Sequence, residues 1–239
     1  MTDLAPASRD DQRWGLGQVV GGLGASVLLQ VLVGGVILSV AGWTKDEQIP
    51  IWGLALLQIP LWSAYLGAVY LAGMKGRGVV RDFGLRMKWS DVPIGLAIGV
   101  FCQTVLLWLI YLPIFLIPGL DEKDLSRPAK ELADRAGGTA SWLLFALLVG
   151  ILAPIVEELF YRGLLLRSLE KRGMAQWVSV VVTALVFAAI HMQPLQFPGL
   201  LAFGLVTGAL AARSGRLGPS IWAHIGFNMT TVVLLYVSR

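Results

Sequence analysis

Apolar residues fall into seven blocks divided by short polar stretches, at about 16–43, 51–73, 92–117, 141–169, 175–192, 198–212 and 219–237. A membrane-crossing helix needs roughly 17–25 predominantly apolar residues, so each block predicts one. The sixth block sits at the lower limit and is expected to begin earlier or to tilt. The stretch 120–138 is different, with Asp121, Glu122, Asp124, Glu131 and Asp134 beside four basic residues. Ser126-Arg127-Pro128 reads as a helix start and Gly137-Gly138 as a stop. Leu132 is the only large apolar residue between Ser126 and Gly137. This pattern predicts a short surface helix outside the membrane that connects its neighbours.

Composition agrees with the pattern. Of the 239 residues, 56% are hydrophobic and 14% charged, and the mean hydropathy is +0.72. Soluble domains carry roughly 25% charged residues. The expected fold is an all-α integral membrane protein, a bundle of about seven (six to eight) transmembrane helices around a polar intramembrane cavity. Residues 1–14 read as a cytoplasmic tail, 15–140 as N-terminal membrane helices with the extracytoplasmic helix at 120–138, and 141–237 as the segment carrying the chemistry.

The net charge of +4 points to no nucleic-acid partner, because the basic residues cluster in short loops. With a cytoplasmic N-terminus, the inner loops hold Arg9, Arg13, Lys75, Arg77, Arg81, Arg86, Lys88, Arg167, Lys171, Arg172, Arg213 and Arg216. The outer loops hold Lys45, Lys123, Arg127, Lys130, Arg135 and Arg239. The bias supports an N-in, C-out protein of the plasma membrane. Cys102, the single cysteine, excludes an intrachain disulfide and reads as a small buried filler. No cleavable signal peptide or internal repeat is expected.

Against this background, a few ionisable residues occupy costly positions. Glu157-Glu158 and Arg162 lie in the fourth block, His191 closes the fifth, and His224 and Asn228 lie in the seventh. Intramembrane ionisable residues mark functional sites by default. On a helix, residues four apart share a face, so Glu158 aligns with Arg162, and Glu157 with Tyr161. Glu158 and Arg162 can pair, leaving the Glu157 carboxylate free. Adjacent carboxylates in low dielectric resist double ionisation, and one is suited to general-base work.

Singly, each feature has a structural explanation: an ion-pair network with snorkelling arginines, a hydrogen-bonded interfacial histidine, or a His224–Asn228 pair gluing helices. Together they supply a base, a group to position water and donors for an oxyanion. No serine or cysteine pairs obviously with a histidine, so no covalent nucleophile is implied. Glu157, His191 and His224 also match a common zinc ligand set, although no HExxH sequence is present.

Glu157-Glu158-xxx-Arg162, Phe187-xxx-His191 and His224-xxx-Asn228, in that order and each in its own apolar segment, resemble the CPBP intramembrane proteases. This is the CAAX-protease and bacteriocin-processing, or Abi, family. The resemblance covers about 141–237. It implies a helical membrane fold and non-covalent peptide hydrolysis. Glu157 would activate water with His191, and His224 with Asn228 would stabilise the oxyanion. Glu158 and Arg162 would support them, with Phe187 packed alongside. No cofactor is implied in this reading, with Zn2+ as the alternative.

The expected activity is therefore cleavage of a peptide or membrane-anchored protein within the lipid bilayer. The family's substrates range from prenylated CAAX proteins to bacteriocin and signal peptides, and nothing in the chain selects among them. The glycine- and tryptophan-rich helices suggest a bacterial member. The rival readings are a non-proteolytic immunity or scaffold protein and an ion-coupled transporter. The absence of repeated halves and paired broken helices counts against a transporter.

Overall fold

The computed structural model describes residues 13–43, 49–113, 115 and 122–238. Most of the tail 1–14, Lys45, the end of the third block and the start of the 120–138 stretch lie outside the described residues. The helices are α1 (Leu16–Ala41), α2 (Ile51–Met74), α3 (Val79–Asp82), α4 (Asp91–Tyr111), α5 (Glu122–Asp134), α6 (Thr139–Lys171), α7 (Gln176–Ile190), α8 (Phe197–Ser214) and α9 (Gly218–Val237). Six of them are long and apolar enough to cross a membrane. With the shorter α7, they form the expected seven-helix bundle of an integral membrane protein.

Two expectations need correction. The sixth block does begin earlier, because α8 spans 18 residues from Phe197, with Pro198 inside its first turn and Gly215 as a left-handed cap, but it is not the shortest of the seven helices. The short helix is α7, which stops after 15 residues. Met192 takes a positive φ of 54° there, turning the chain immediately after His191. The surface helix also starts before Ser126. α5 begins at Glu122 and carries Pro128 in its interior, where the missing N–H leaves one carbonyl unbonded without ending the helix. Gln196 donates to the Leu125 carbonyl at 3.1 Å, fastening α5 to the α7–α8 turn.

Lipid explains the outer surface. Val20, Val27, Val31, Val36 and Val40 on α1 are exposed, whereas Val19, Gly22 and Ser26 form a narrow buried stripe. That stripe packs on α2, where a Cβ at Gly22 would meet the Ala68 Cβ at 2.7 Å. Small residues at such crossings let membrane helices approach closely. At the centre lies α6, whose residues Glu158–Leu165 are all buried. A helix buried all round is a core helix.

The closest approach joins α4 to α9. A Cβ at Gly95 would meet the Ala223 nitrogen at 2.9 Å, and one at Gly99 would meet the Phe227 nitrogen at 2.5 Å. From the other side, a Cβ at Gly226 would meet the Leu96 oxygen at 2.7 Å. These obstacles are backbone atoms and cannot rotate away. Gly99→Leu is therefore expected to cost about 1–3 kcal/mol by overpacking, seen as a lower thermal midpoint in detergent. An unchanged midpoint would mean that α4 and α9 do not touch there.

The loop before α4 also holds the start of α9. Leu217 N–H donates to the Gly84 carbonyl at 2.7 Å, and Gly218 N–H to the Arg86 carbonyl at 3.2 Å. Asp91 takes the Arg216 guanidinium through both oxygens, at 2.5 and 3.1 Å. Asp91→Asn should weaken this clasp by about 1.5–3 kcal/mol, the range for hydrogen bonds to charged groups. The expected readout is faster tryptic cleavage after Arg216.

Candidate active site

The polar cluster is built on the central stretch of α6. Pro154 has no N–H to offer the Gly150 carbonyl, and the helix runs in wide π turns over Ala146–Leu152 and again over Glu158–Leu165. Wide turns of this kind occur often at functional sites. Glu157 closes the stretch between them and Glu158 opens the second, on different faces.

Glu158 and Arg162 are completely buried and pair at 3.0 Å, as their spacing predicts. Their surroundings close the pair in. Arg162 donates from Nη2 to the Gly204 carbonyl at 3.2 Å, and its guanidinium lies 4.4 Å from the Phe187 ring centroid. An arginine over an aromatic face gains a cation–π attraction that grows with desolvation.

The same Glu158 oxygen that meets Arg162 also meets His224 Nδ1, at 3.0 Å. A carboxylate only accepts hydrogen bonds, so Nδ1 carries the proton and donates it. This fixes the ring and turns Nε2 towards Glu157, whose Oε2 lies 3.8 Å away. Phe187 and Phe203 flank the imidazole edge-on, with ring centroids at 5.8 and 5.1 Å. His224 is thus held by Glu158 on one nitrogen and faces Glu157 with the other.

Glu157 keeps 22% of its side chain exposed, in contrast to the sealed Glu158. The polar cluster opens through this carboxylate. Two hollows on the described surface lie elsewhere, one lined by arginines after α2 and one between α7 and α8.

His191 joins the cluster through Phe187. Its Nδ1 donates to the Phe187 carbonyl at 2.7 Å, leaving Nε2 free to accept, and its ring lies 4.7 Å from the Phe187 centroid. The left-handed Met192 beside it is a sparsely populated conformation for a residue with a side chain. Asn228 uses its amide on the Val149 carbonyl at 2.7 Å, in the first wide turn of α6. A carboxamide has two N–H donors, so one remains beyond that tie. The structure therefore brings Glu157, Glu158, Arg162, Phe187 and His224 into direct contact, with His191 and Asn228 on the flanks.

Among the described residues, no three His, Cys, Asp or Glu side chains are grouped closely enough to hold a metal ion.

Two phenols join the cluster from outside the sequence motifs. Tyr65 of α2 and Tyr161 of α6 place their hydroxyls 3.0 Å apart, and both interact electrostatically with Glu157. Tyr65 stacks on Phe160 at 4.0 Å. The only signal for Tyr65 in the sequence is a phenol within an apolar run. Such a hydroxyl must find a partner when buried.

Known proteins resemble the part of the chain that carries this arrangement. Residues 139–230 match the family described as "Type II CAAX prenyl endopeptidase Rce1-like", a description that falls within CPBP. The likeness to CPBP proteases is therefore a likeness of residues 139–230. The matched segment begins with α6 and ends within α9, so it contains all three motifs. An "Uncharacterized 24.3 kDa protein" of Escherichia coli is 31% identical over 134 residues, covering 53% of this chain and 59% of that protein. The "UPF0177 protein YbdI" of Lactococcus lactis is 26% identical over 124 residues, covering 52% of this chain and 65% of its own length. The chain therefore spans about three fifths of the curated relatives it matches. No solved structure matches it.

Proposed function

We propose that this chain is an intramembrane endopeptidase that hydrolyses a peptide bond of a membrane-associated protein or peptide with an activated water. The observation that carries the reading is the pair of unlike carboxylates. Glu158 is sealed and committed to Arg162 and His224, whereas Glu157 is open and weakly held. A general base must reach the proton it removes and must not already be neutralised by an arginine. Glu157 meets both conditions.

In this reading Glu157 takes a proton from water, with His191 Nε2 helping to position it. The oxygen attacks the scissile carbonyl carbon, and its electron pair becomes the new C–O bond. The carbonyl π pair moves to oxygen. His224 Nε2–H and the second Asn228 N–H donate to that oxyanion. For this His224 carries a proton on both nitrogens, with Glu158 beside Nδ1 and Glu157 beside Nε2. The C–N bond then breaks, and the leaving amine takes the proton held by Glu157. The N-terminus faces the cytoplasm of a plasma membrane in this reading, as the loop charges favour.

The test uses purified protein in proteoliposomes and two quenched peptides, one with a farnesylated C-terminal cysteine and one with an unprenylated membrane anchor. Cleavage of either by the parent, lost in His191→Ala, supports the reading. Cleavage retained in a folded His191→Ala protein would remove His191 from it. The metal-independent form predicts unchanged rates after dialysis against EDTA. Loss of activity restored by Zn2+ would replace it with a metal mechanism.

A further inference from the structure

Apart from the α6–α9 cluster, the segment between α2 and α4 borders an open hollow of about 380 Å³ lined by Arg77, Val80, Arg81 and Arg86. Three guanidinium groups around one space repel each other unless something anionic lies among them. Of the acids of this segment, Asp82 offsets only Arg77, and Asp91 offsets none of the three. Asp82 is turned inward with no exposed side chain, accepting the Arg77 backbone N–H at 2.6 Å and lying 3.7 Å from Arg77 Nε. Asp91 is committed to Arg216 and to the Lys88 backbone N–H. Arg81 and Arg86 have no ion pair among the described residues and are exposed.

Val80 adds an apolar side chain to the lining, and Met87 and Trp89 follow Arg86 in the chain. Val80 and Met87 are half exposed, and Trp89 is 94% exposed. A free tryptophan at the end of a membrane helix suits the water–lipid boundary, where aromatic rings collect. The hollow lies at the ends of α2 and α4, near the Trp14–Lys171 contact that closes this end of the bundle. A soluble anion needs only the arginines. A lipid uses both the arginines and the exposed apolar side chains that accompany them in this segment.

We propose that Arg77, Arg81 and Arg86 bind the phosphate-bearing headgroup of an anionic bilayer lipid, with Val80, Met87 and Trp89 facing its apolar part. Basic pockets beside membrane helices suit such headgroups through charge, and arginine matches phosphate through paired N–H donors. The site is independent of the proposed hydrolysis.

The experiment offers the detergent-purified full chain phosphatidylglycerol, phosphatidylcholine or inorganic phosphate, and counts retained lipid by native mass spectrometry. The parent should prefer phosphatidylglycerol. Arg81→Gln combined with Arg86→Gln should lose about 30-fold of that preference, the scale of two basic residues at an anionic surface. Its thermal midpoint checks folding. On the parent alone, raising the salt from about 0.05 to 0.5 M should weaken the preference, because shorter screening lengths reduce exposed charge attraction. Equal retention of the two lipids, a preference unmoved by salt or by the double substitution, or displacement by millimolar inorganic phosphate would overturn the proposal.

Discussion

Glu157→Gln should reduce peptide hydrolysis by about 10²–10⁴-fold, the usual contribution of a general base, and leave the protein folded. The amide keeps the shape of the side chain but cannot take a proton from water. The fold has little to lose, because Glu157 is partly exposed and its nearest ion-pair contact is His224 Nε2 at 3.8 Å. Single-turnover cleavage in proteoliposomes, with thermal unfolding beside it, separates the two effects. Wild-type cleavage by the glutamine variant would end the role of Glu157 as base. A protein acting only as an immunity or scaffold factor would keep its phenotype after the Glu157→Gln substitution.

Arg162→Leu should act in the opposite way, through stability. Removing one member of a buried ion pair costs about 3–5 kcal/mol, because the other charge is left without compensation. Glu158 would keep only His224 against its shared oxygen, while its other oxygen already lacks a hydrogen-bond partner among the described residues. The guanidinium also fills the space beside Phe187 and ties α6 to Gly204 on α8. Adding Glu158→Gln to Arg162→Leu should recover part of the loss, since the stranded charge is gone. Denaturant titration in detergent measures both proteins. A single variant as stable as the parent would show that the pair contributes little to holding α6 in place.

Much of this architecture is legible in the sequence because a bilayer simplifies the code. Every backbone group must bond internally, so a long apolar block is a helix. The Glu158–Arg162 pair is legible for a similar reason, since neighbours four apart meet even in a widened turn. The length of α7 is not, because it depends on where the backbone reverses, and Met192 gives no composition signal. The sharing of Glu158 between Arg162 and His224 is also beyond a one-helix pattern, because it joins residues 66 positions apart. The α4–α9 contact lies in between. Gly95 and Gly99 have the small-xxx-small spacing of a close crossing, but only the structure supplies Gly226 as the opposing surface.

The two partners of Glu158 are made at very different times. Arg162 emerges four residues later on the same helix, whereas His224 arrives only with α9, 66 residues after the acid it binds. Entry of a lone charged side chain at the middle of an inserting helix costs roughly 2.5–3.5 kcal/mol. An acid and a base one turn apart enter as a neutral couple, so α6 can leave the insertion machinery without waiting for the rest of the chain. The imidazole then completes the centre after the membrane topology is established. Helix insertion and assembly of the polar cluster thus draw on the same carboxylate in sequence, and a chain truncated before α9 should insert α6 normally yet never assemble the cluster.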